Sequence, residues 1–414
     1  MKHSRIAVYI IVFATLLKFS FLFFISGIQV WEDHDIALNF IATGEQFYDS
    51  DGARFFAYQF PVYPFLIACI YKLFGVYPVA AIALNILLNG CAALILYLFI
   101  LDFIQYFLKT SPLARYRDKI ALAAVLIFLL HHAINYYVLY NVHPFALDSL
   151  LLFMCLWRMM RFVLNPVFEN LVLYAVVLGF TMLDRTSLVV VLFSFLILAF
   201  RDFGLRKTAG FFSTVVLISS LIVLPWLIRN YYKECIIGFE ASIAKDLWKG
   251  SMREGEGSSY LLSGKNYYSA LSSEEIHGLG KMSPKQQHDF FSDKYLDILI
   301  NDPQHVCKMY FIKLKNFWLF RDRIGSDYSA EIRSLLPFYK IFYLCILLFS
   351  ILSLFIVRGS LMLFSVPFFL SLLQSVFYVE TRHRMIIEPL LIFLAILAIT
   401  QLWLRFVKKR AIGN

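Results

Sequence analysis

Three acids fall within four residues at Glu32, Asp33 and Asp35, with His34 among them, directly after the first long apolar run. Carboxylates this close raise one another's pKa, which suits a general base or a divalent-cation site. The plainer reading is an interfacial loop whose acids are simply solvated. Other ionisable sets stand at the ends of later apolar runs. They are Asp148 in His143-Pro144-Phe145-Ala146-Leu147-Asp148, the pair Asp184-Arg185, and Glu380-Thr381-Arg382-His383-Arg384 with Glu388 and Pro389 behind it. Two arginines spaced by one residue can grip a phosphate through charge-assisted hydrogen bonds, or can snorkel to lipid headgroups. Arg229, in Pro225-Trp226-Leu227-Ile228-Arg229-Asn230-Tyr231, is also placed to reach an anion. Together these sets could form a cationic pocket for an anionic lipid beside a carboxylate.

The elements that must carry these residues are helices in a membrane. Of 414 residues, 60% are hydrophobic and only 16% charged, far from the quarter or so that a soluble chain carries. Ten apolar runs are long enough, or nearly so, for a helix crossing about 30 Å of hydrocarbon. They span 6–27, 76–104, 119–140, 144–163, 168–183, 186–200, 209–227, 338–357, 360–378 and 386–406. The fifth and sixth are short and read as a tight hairpin. The first is too long for a signal peptide and no A-x-A site follows it, so it is expected to stay as a helix.

A net charge of +10 could suggest nucleic acid, but its distribution says otherwise. With the N-terminus cytoplasmic, the cytoplasmic segments hold 16 of the 38 basic residues and four of the 28 acids, leaving the remainder nearly neutral. That is a positive-inside bias. It makes this a multi-pass protein with both termini cytoplasmic, and it places every ionisable set named above on the outer, periplasmic or luminal face. The expected fold class is an all-α polytopic membrane protein of about ten transmembrane helices with a small, mainly helical outer domain. Residues 1–227 would form an N-terminal membrane module with a first outer loop at 28–75. Residues 228–337 would form the outer domain, with an amphipathic stretch from Gln287 to Phe320, and residues 338–414 the last helices.

The six cysteines show no metal-ligand spacing. Cys235 and Cys307 share the polar segment and could form a disulfide. His131 and His132 point about 100° apart on a helix, which favours a packing role over a shared metal. No P-loop or Rossmann glycine pattern is present.

The run Trp31-Glu32-Asp33-His34-Asp35, followed by Pro61-Val62-Tyr63-Pro64 and Lys72-Leu73-Phe74-Gly75, resembles the first outer loop of GT-C glycosyltransferases. The branch it is most similar to holds the protein mannosyltransferases and the lipid A aminoarabinose transferase. Leu183-Asp184-Arg185-Thr186, Pro225-Trp226-Leu227-Ile228-Arg229-Asn230, Leu247-Trp248-Lys249-Gly250, Lys315-Asn316-Phe317-Trp318 and Arg382-His383-Arg384 resemble that branch's later motifs, in order along the chain. The resemblance implies transfer of a sugar from a polyprenyl-phosphate donor to a hydroxyl acceptor, usually with inversion. It puts the catalytic acid at Glu32, with Asp33 as the second acid, and leaves open which is the base. Asp35, Asp148, Asp184, Arg185, Arg229, Arg382, His383 and Arg384 are the expected substrate-binding residues. No nucleotide fold is required and no cofactor is assigned; a divalent cation near Glu32, Asp33 and Asp35 stays open. Expected partners are the lipid-linked sugar, an acceptor that is lipid, glycan or protein, and membrane lipids, with no nucleic acid. The expected location is a bacterial inner membrane. A flippase for lipid-linked sugars or an O-antigen ligase or polymerase is the rival reading; a flippase would carry polar residues at the bilayer midplane instead of at one face.

Overall fold

The computed structural model describes residues 2–50, 52–320 and 330–412. Helix α1 (Lys2–Ser20) leads into strand β1 (Gln29–Val30), then α2 (Glu32–Thr43), the hairpin β2 (Tyr48–Ser50) and β3 (Ala53–Phe55), and α3 (Val62–Phe74). Gly44 ends α2 with φ +79°, a left-handed cap that a β-carbon would strain. The first half of the bundle follows as α4 (Pro78–Phe107), α5 (Arg117–Leu130), α6 (His132–Tyr140), strand β4 (Asn141–Val142), α7 (Phe145–Leu164), α8 (Phe168–Met182) and α9 (Val191–Glu234). The polar segment folds as α10 (Ile243–Lys249), α11 (Ser273–Leu279), α12 (Pro284–Asn301) and α13 (Pro303–Trp318). The chain closes with α14 (Ala330–Ile356), α15 (Ser360–Gln374), the short α16 (Thr381–Met385) and α17 (Glu388–Ile412).

All ten apolar runs are helical, but they are not ten equal spans. Among the described residues five helical stretches are long and apolar enough to cross a membrane, and a sixth qualifies if α5 and α6, bent by 54°, are one span. Helices α8 and α15 have 15 residues each, and α7 carries Asp148, Arg158 and Arg161. The runs at 186–200 and 209–227 belong to one stretch, Thr186–Glu234, of 49 residues. At 1.5 Å per residue this measures about 74 Å, room for two crossings. Gly204, at φ +75° and ψ 170°, divides it where a side-chain-bearing residue would be strained. The break between α5 and α6 is repaired locally: the His131 ring accepts from the Ile134 amide and Asn135 donates to the Leu129 carbonyl at 2.9 Å.

A single large apolar core runs through the bundle. A smaller one, with Trp248, Met252, Leu261, Leu279 and Phe291, forms among α10 to α12. Its helices start as their sequences direct, with capping boxes at Ser272/Glu275 and Ser283/Gln286 and Pro284 in the first turn of α12. The segment docks on the bundle through Val379, whose amide donates to Gly257 O at 2.9 Å, and through Lys313, whose ammonium donates to Val376 O at 3.0 Å. Cys235 and Cys307 are exposed and unpaired, so the disulfide considered between them does not form.

Two polar networks cross the apolar interior. Lys18 in α1 donates to Asn89 of α4 at 2.7 Å and to Asn135 of α6 at 2.6 Å. Arg384 is fully buried and donates to Glu388 at 3.0 Å, to the Tyr339 hydroxyl at 3.0 Å, and to the carbonyls of Phe317 and Leu319. Glu388 in turn meets His131 at 3.0 Å, which gives that histidine the packing role its position suggested. The network joins the α5/α6 break to the end of α13 and to α14 and α17. Truncating one member of a buried ion pair strands the other, so Arg384→Ala should cost about 3–5 kcal/mol. Arg384→Lys should recover only part of that, because an ammonium cannot reproduce the planar fork. Unfolding in detergent measures both, and an alanine variant as stable as the parent would contradict this role.

Candidate active site

Two short strands bring the first acids to the bundle end. Gln29 and Val30 of β1 pair in parallel with Asn141 and Val142 of β4, so the chain entering α2 runs beside the chain entering α7. The register is held from below: Tyr63 of α3 donates to Asn85 of α4 at 2.8 Å, and Asn85 donates to Asn141 O at 3.0 Å. Trp31, Glu32 and Asp33 thereby face His143, with the Trp31 and His143 rings edge to face at 5.0 Å. Glu32 and Asp33 open the first turn of α2, where the helix dipole favours negative charge.

These residues line a cavity of 760 Å³ at one end of the bundle. Of the residues expected from the sequence, Glu32, Asp33, Asp184, Arg185, Arg382 and His383 all line it. Asp148 is fully buried just behind the wall, its carboxylate 2.7 Å from the Arg185 guanidinium. Arg382 lies 3.2 Å from Glu380 and 5.0 Å from the centre of the Trp31 ring.

Three expected residues lie elsewhere. Asp35 is exposed and outside the cavity wall. Arg384 is spent in the interior network. Arg229 donates to the carbonyls of Phe56 at 2.7 Å and Gln46 at 2.5 Å, with its guanidinium 4.5 Å from the Trp226 ring centre. Five residues on, Glu234 accepts from the amides of Phe56 and Ala57. The end of α9 therefore fastens the loop that follows the β2–β3 hairpin, and Arg229 holds backbone in place of an anion. Among the described residues no three His, Cys, Asp or Glu side chains come together in an arrangement that could hold a metal ion.

Burial raises the Asp33 carboxyl well above the ordinary aspartate range; Glu32 and Asp148 add to this and Arg185 opposes it. Asp184 is raised in the same way, by burial first and then by Asp148. His143 and His383 are pushed the other way, well below the usual histidine value, by burial and then by Arg382. Both rings are neutral at pH 7.

The far wall comes from the polar segment, and its residues were not among those expected at the site. Glu240, Asp246, Lys249 and Tyr267 line it, together with Tyr58 from the first loop and Tyr378 ahead of α16. Lys249 pairs with Asp246 at 2.6 Å and sits 3.9 Å from the centre of the Tyr378 ring. Burial pushes Glu240 up to about 8, with Asp246 contributing. The one sequence signal for this wall was Leu247-Trp248-Lys249-Gly250, which contains Lys249.

Glu240 carries a consequence for stability. Its unfolded carboxyl ionises near 4.5, so between there and about 8 the folded protein holds a proton that the unfolded chain has released. Stability therefore falls as pH rises through that window. Glu240→Gln abolishes the effect, so its melting temperature should gain on the parent's between about pH 5 and pH 8.5. A gap that stays constant across that range would refute the assignment.

No family model matches the chain, and no curated protein matches it in sequence. Solved structures do match in fold. The crystal structure of ArnT from Cupriavidus metallidurans bound to undecaprenyl phosphate aligns over 98% of this chain at 15% identity with a TM-score of 0.52. This chain spans 62% of that one. The same protein in the apo state aligns over 94% of this chain and 76% of its own, at 12% identity and a TM-score of 0.39. On the first of these matches and its own apolar helices, the chain is a multi-pass membrane protein with the fold of that ArnT structure.

Proposed function

We propose that this protein is a glycosyltransferase that moves a sugar from a polyprenyl-phosphate donor to a hydroxyl acceptor at the membrane surface. The observation that carries the reading is the meeting, in one cavity at the bundle end, of Glu32 and Asp33 with Arg185, Arg382 and His383. An acidic wall facing a cationic one is what the reaction needs. The acceptor hydroxyl gives its proton to a carboxylate as its oxygen bonds to the anomeric carbon, and the bond from that carbon to the phosphate oxygen breaks with its electron pair passing to the phosphate. Attack from the face opposite the phosphate inverts the anomeric centre. We take Asp33 as the base: it is the buried acid at the cavity wall, burial raises its affinity for the proton, and Arg185 opposes that rise. Glu32 beside it would orient the acceptor. The aligned ArnT structure, bound to undecaprenyl phosphate, supports a polyprenyl-phosphate donor.

The sidedness follows from the charge bias. Every segment contributing to the cavity belongs to the face that the lysine and arginine distribution assigns to the outside, so we place catalysis on the periplasmic side of a bacterial inner membrane with both termini cytoplasmic. Residues 1–227 and 338–414 would form the membrane module and residues 228–337 the outer domain. Glu240, Asp246, Lys249 and Tyr267 from that domain would contact the sugar or the acceptor.

Release of free polyprenyl phosphate from a labelled lipid-linked sugar tests the reading directly. The double variant Glu32→Ala and Asp33→Ala should insert and fold yet release none, and retained release would sink the assignment. Arg382→Ala should lower kcat by on the order of 10²-fold, the usual loss when one donor to a developing oxyanion is removed.

A further inference from the structure

Transfer as proposed above converts a phosphodiester into a phosphomonoester, so one more negative charge develops on the leaving group. The two arginines of the cavity are already partly engaged, Arg185 by Asp148 at 2.7 Å and Arg382 by Glu380 at 3.2 Å. Donors beyond them could share that charge, and two histidines of fixed tautomer stand beside them.

His143 follows β4, and its Nδ1 accepts the Phe145 amide at 3.2 Å. His383 lies in α16, and its Nδ1 accepts the Glu380 amide at 3.3 Å. An amide N–H can only donate, so in each ring Nδ1 must present its lone pair and the single ring proton must sit on Nε2. Protonating either ring would set two donors against each other, which reinforces the neutrality that burial and Arg382 impose. Each ring is also held in orientation, His143 edge-on to Trp31 at 5.0 Å and His383 edge-on to Tyr378 at 5.2 Å. Both line the cavity, and among the described residues no protein atom accepts from either Nε2. Two preset N–H donors thus stand at the wall with nothing in the protein to receive them. Both residues line the cavity, where a ligand oxygen can take the place of water as the partner of these donors.

We propose that His143, with His383, donates Nε2–H to the oxygens of the leaving phosphate and so completes the anion site begun by Arg185 and Arg382. This rests on the donor class proposed above and adds to it a residue from the loop between β4 and α7. Neutral donors suit the step. They meet the developing charge, yet add no full ionic attraction that would hold the product after transfer.

The test uses the full chain in lipid nanodiscs with ring-15N-labelled histidine, probed with farnesyl phosphate, with farnesol and with inorganic phosphate. In the free protein both rings should show the Nε2-protonated tautomer. Farnesyl phosphate should shift both Nε2 resonances and farnesol should not. A shift with inorganic phosphate alone would show that the site recognises the phosphate itself, while a shift needing farnesyl phosphate would show that the lipid chain must anchor it; either supports the donor role. His143→Phe should weaken farnesyl phosphate binding about 10- to 100-fold, the loss of one charge-assisted hydrogen bond, and His143→Gln, which keeps an N–H donor, should lose less. If the parent binds farnesyl phosphate while the His143 resonance stays still and His143→Phe binds equally well, the inference fails and the donor class survives. If the parent binds no polyprenyl phosphate, both fail. The tautomer reading on the parent stands even if a variant does not fold, and an Nδ1-protonated His143 would overturn the proposal by itself.

Discussion

The contact between Arg185 and Asp148 is the interaction on which the rest of the site depends. It places one guanidinium among three carboxylates, since Asp148 is fully buried and Asp33 and Asp184 are nearly so. Apart from the Arg185 pair, the oxygens of Asp148 and Asp184 have no protein donor among the described residues. Burial raises Asp33 and Asp184 well above the ordinary carboxylate range, and the Arg185 guanidinium opposes that rise at both. The arrangement also has a structural meaning. Asp148 belongs to the first turn of α7, Asp184 and Arg185 to the turn after α8, and Asp33 to the first turn of α2. Helix packing therefore sets the spacing of these charged groups, which suits the chemistry proposed for the cavity, a chemistry that tolerates little misplacement.

The other charged groups are sorted by what they can reach. Arg382 and Arg384 are two residues apart on the short helix α16, so their side chains leave it in nearly opposite directions. One enters the cavity; the other runs into the interior to meet Glu388 and three oxygens of neighbouring elements. A similar division marks the end of α9, where Arg229 and Glu234 satisfy the backbone of residues 46–57 from both sides. The aromatic first loop is rigid because its amides and carbonyls find partners on a helix.

The bundle was legible in the sequence because apolar runs of membrane length have few other uses. Their number as independent spans was less so, since hydropathy does not distinguish a helix facing lipid from one enclosed by protein. Residues 390–398 of α17 are almost entirely buried, whereas much of α1 is exposed. Glu32, Asp33, Asp184, Arg185, Arg382 and His383 could be read as site residues because ionisable groups at the ends of membrane helices need a reason to be there. Arg384 and Arg229 shared that signal, and only three-dimensional contacts separate a charge that holds the fold from one that meets a ligand. Glu240 and Asp246 were invisible for the opposite reason. They lie in a polar segment where acids are common, and nothing in their spacing sets them apart.

The bond from Lys18 to Asn89 and Asn135 also bears on time. Lys18 emerges from the ribosome 71 residues before one partner and 117 before the other. Helix α1 therefore reaches the bilayer with an ammonium group near its end and no acceptor to receive it. Until α6 has been made, that group must keep to the headgroup region or to water. Helix α1 thus settles only after α6 has been made, and the same lysine that delays it fixes its depth and rotation once the two asparagines arrive.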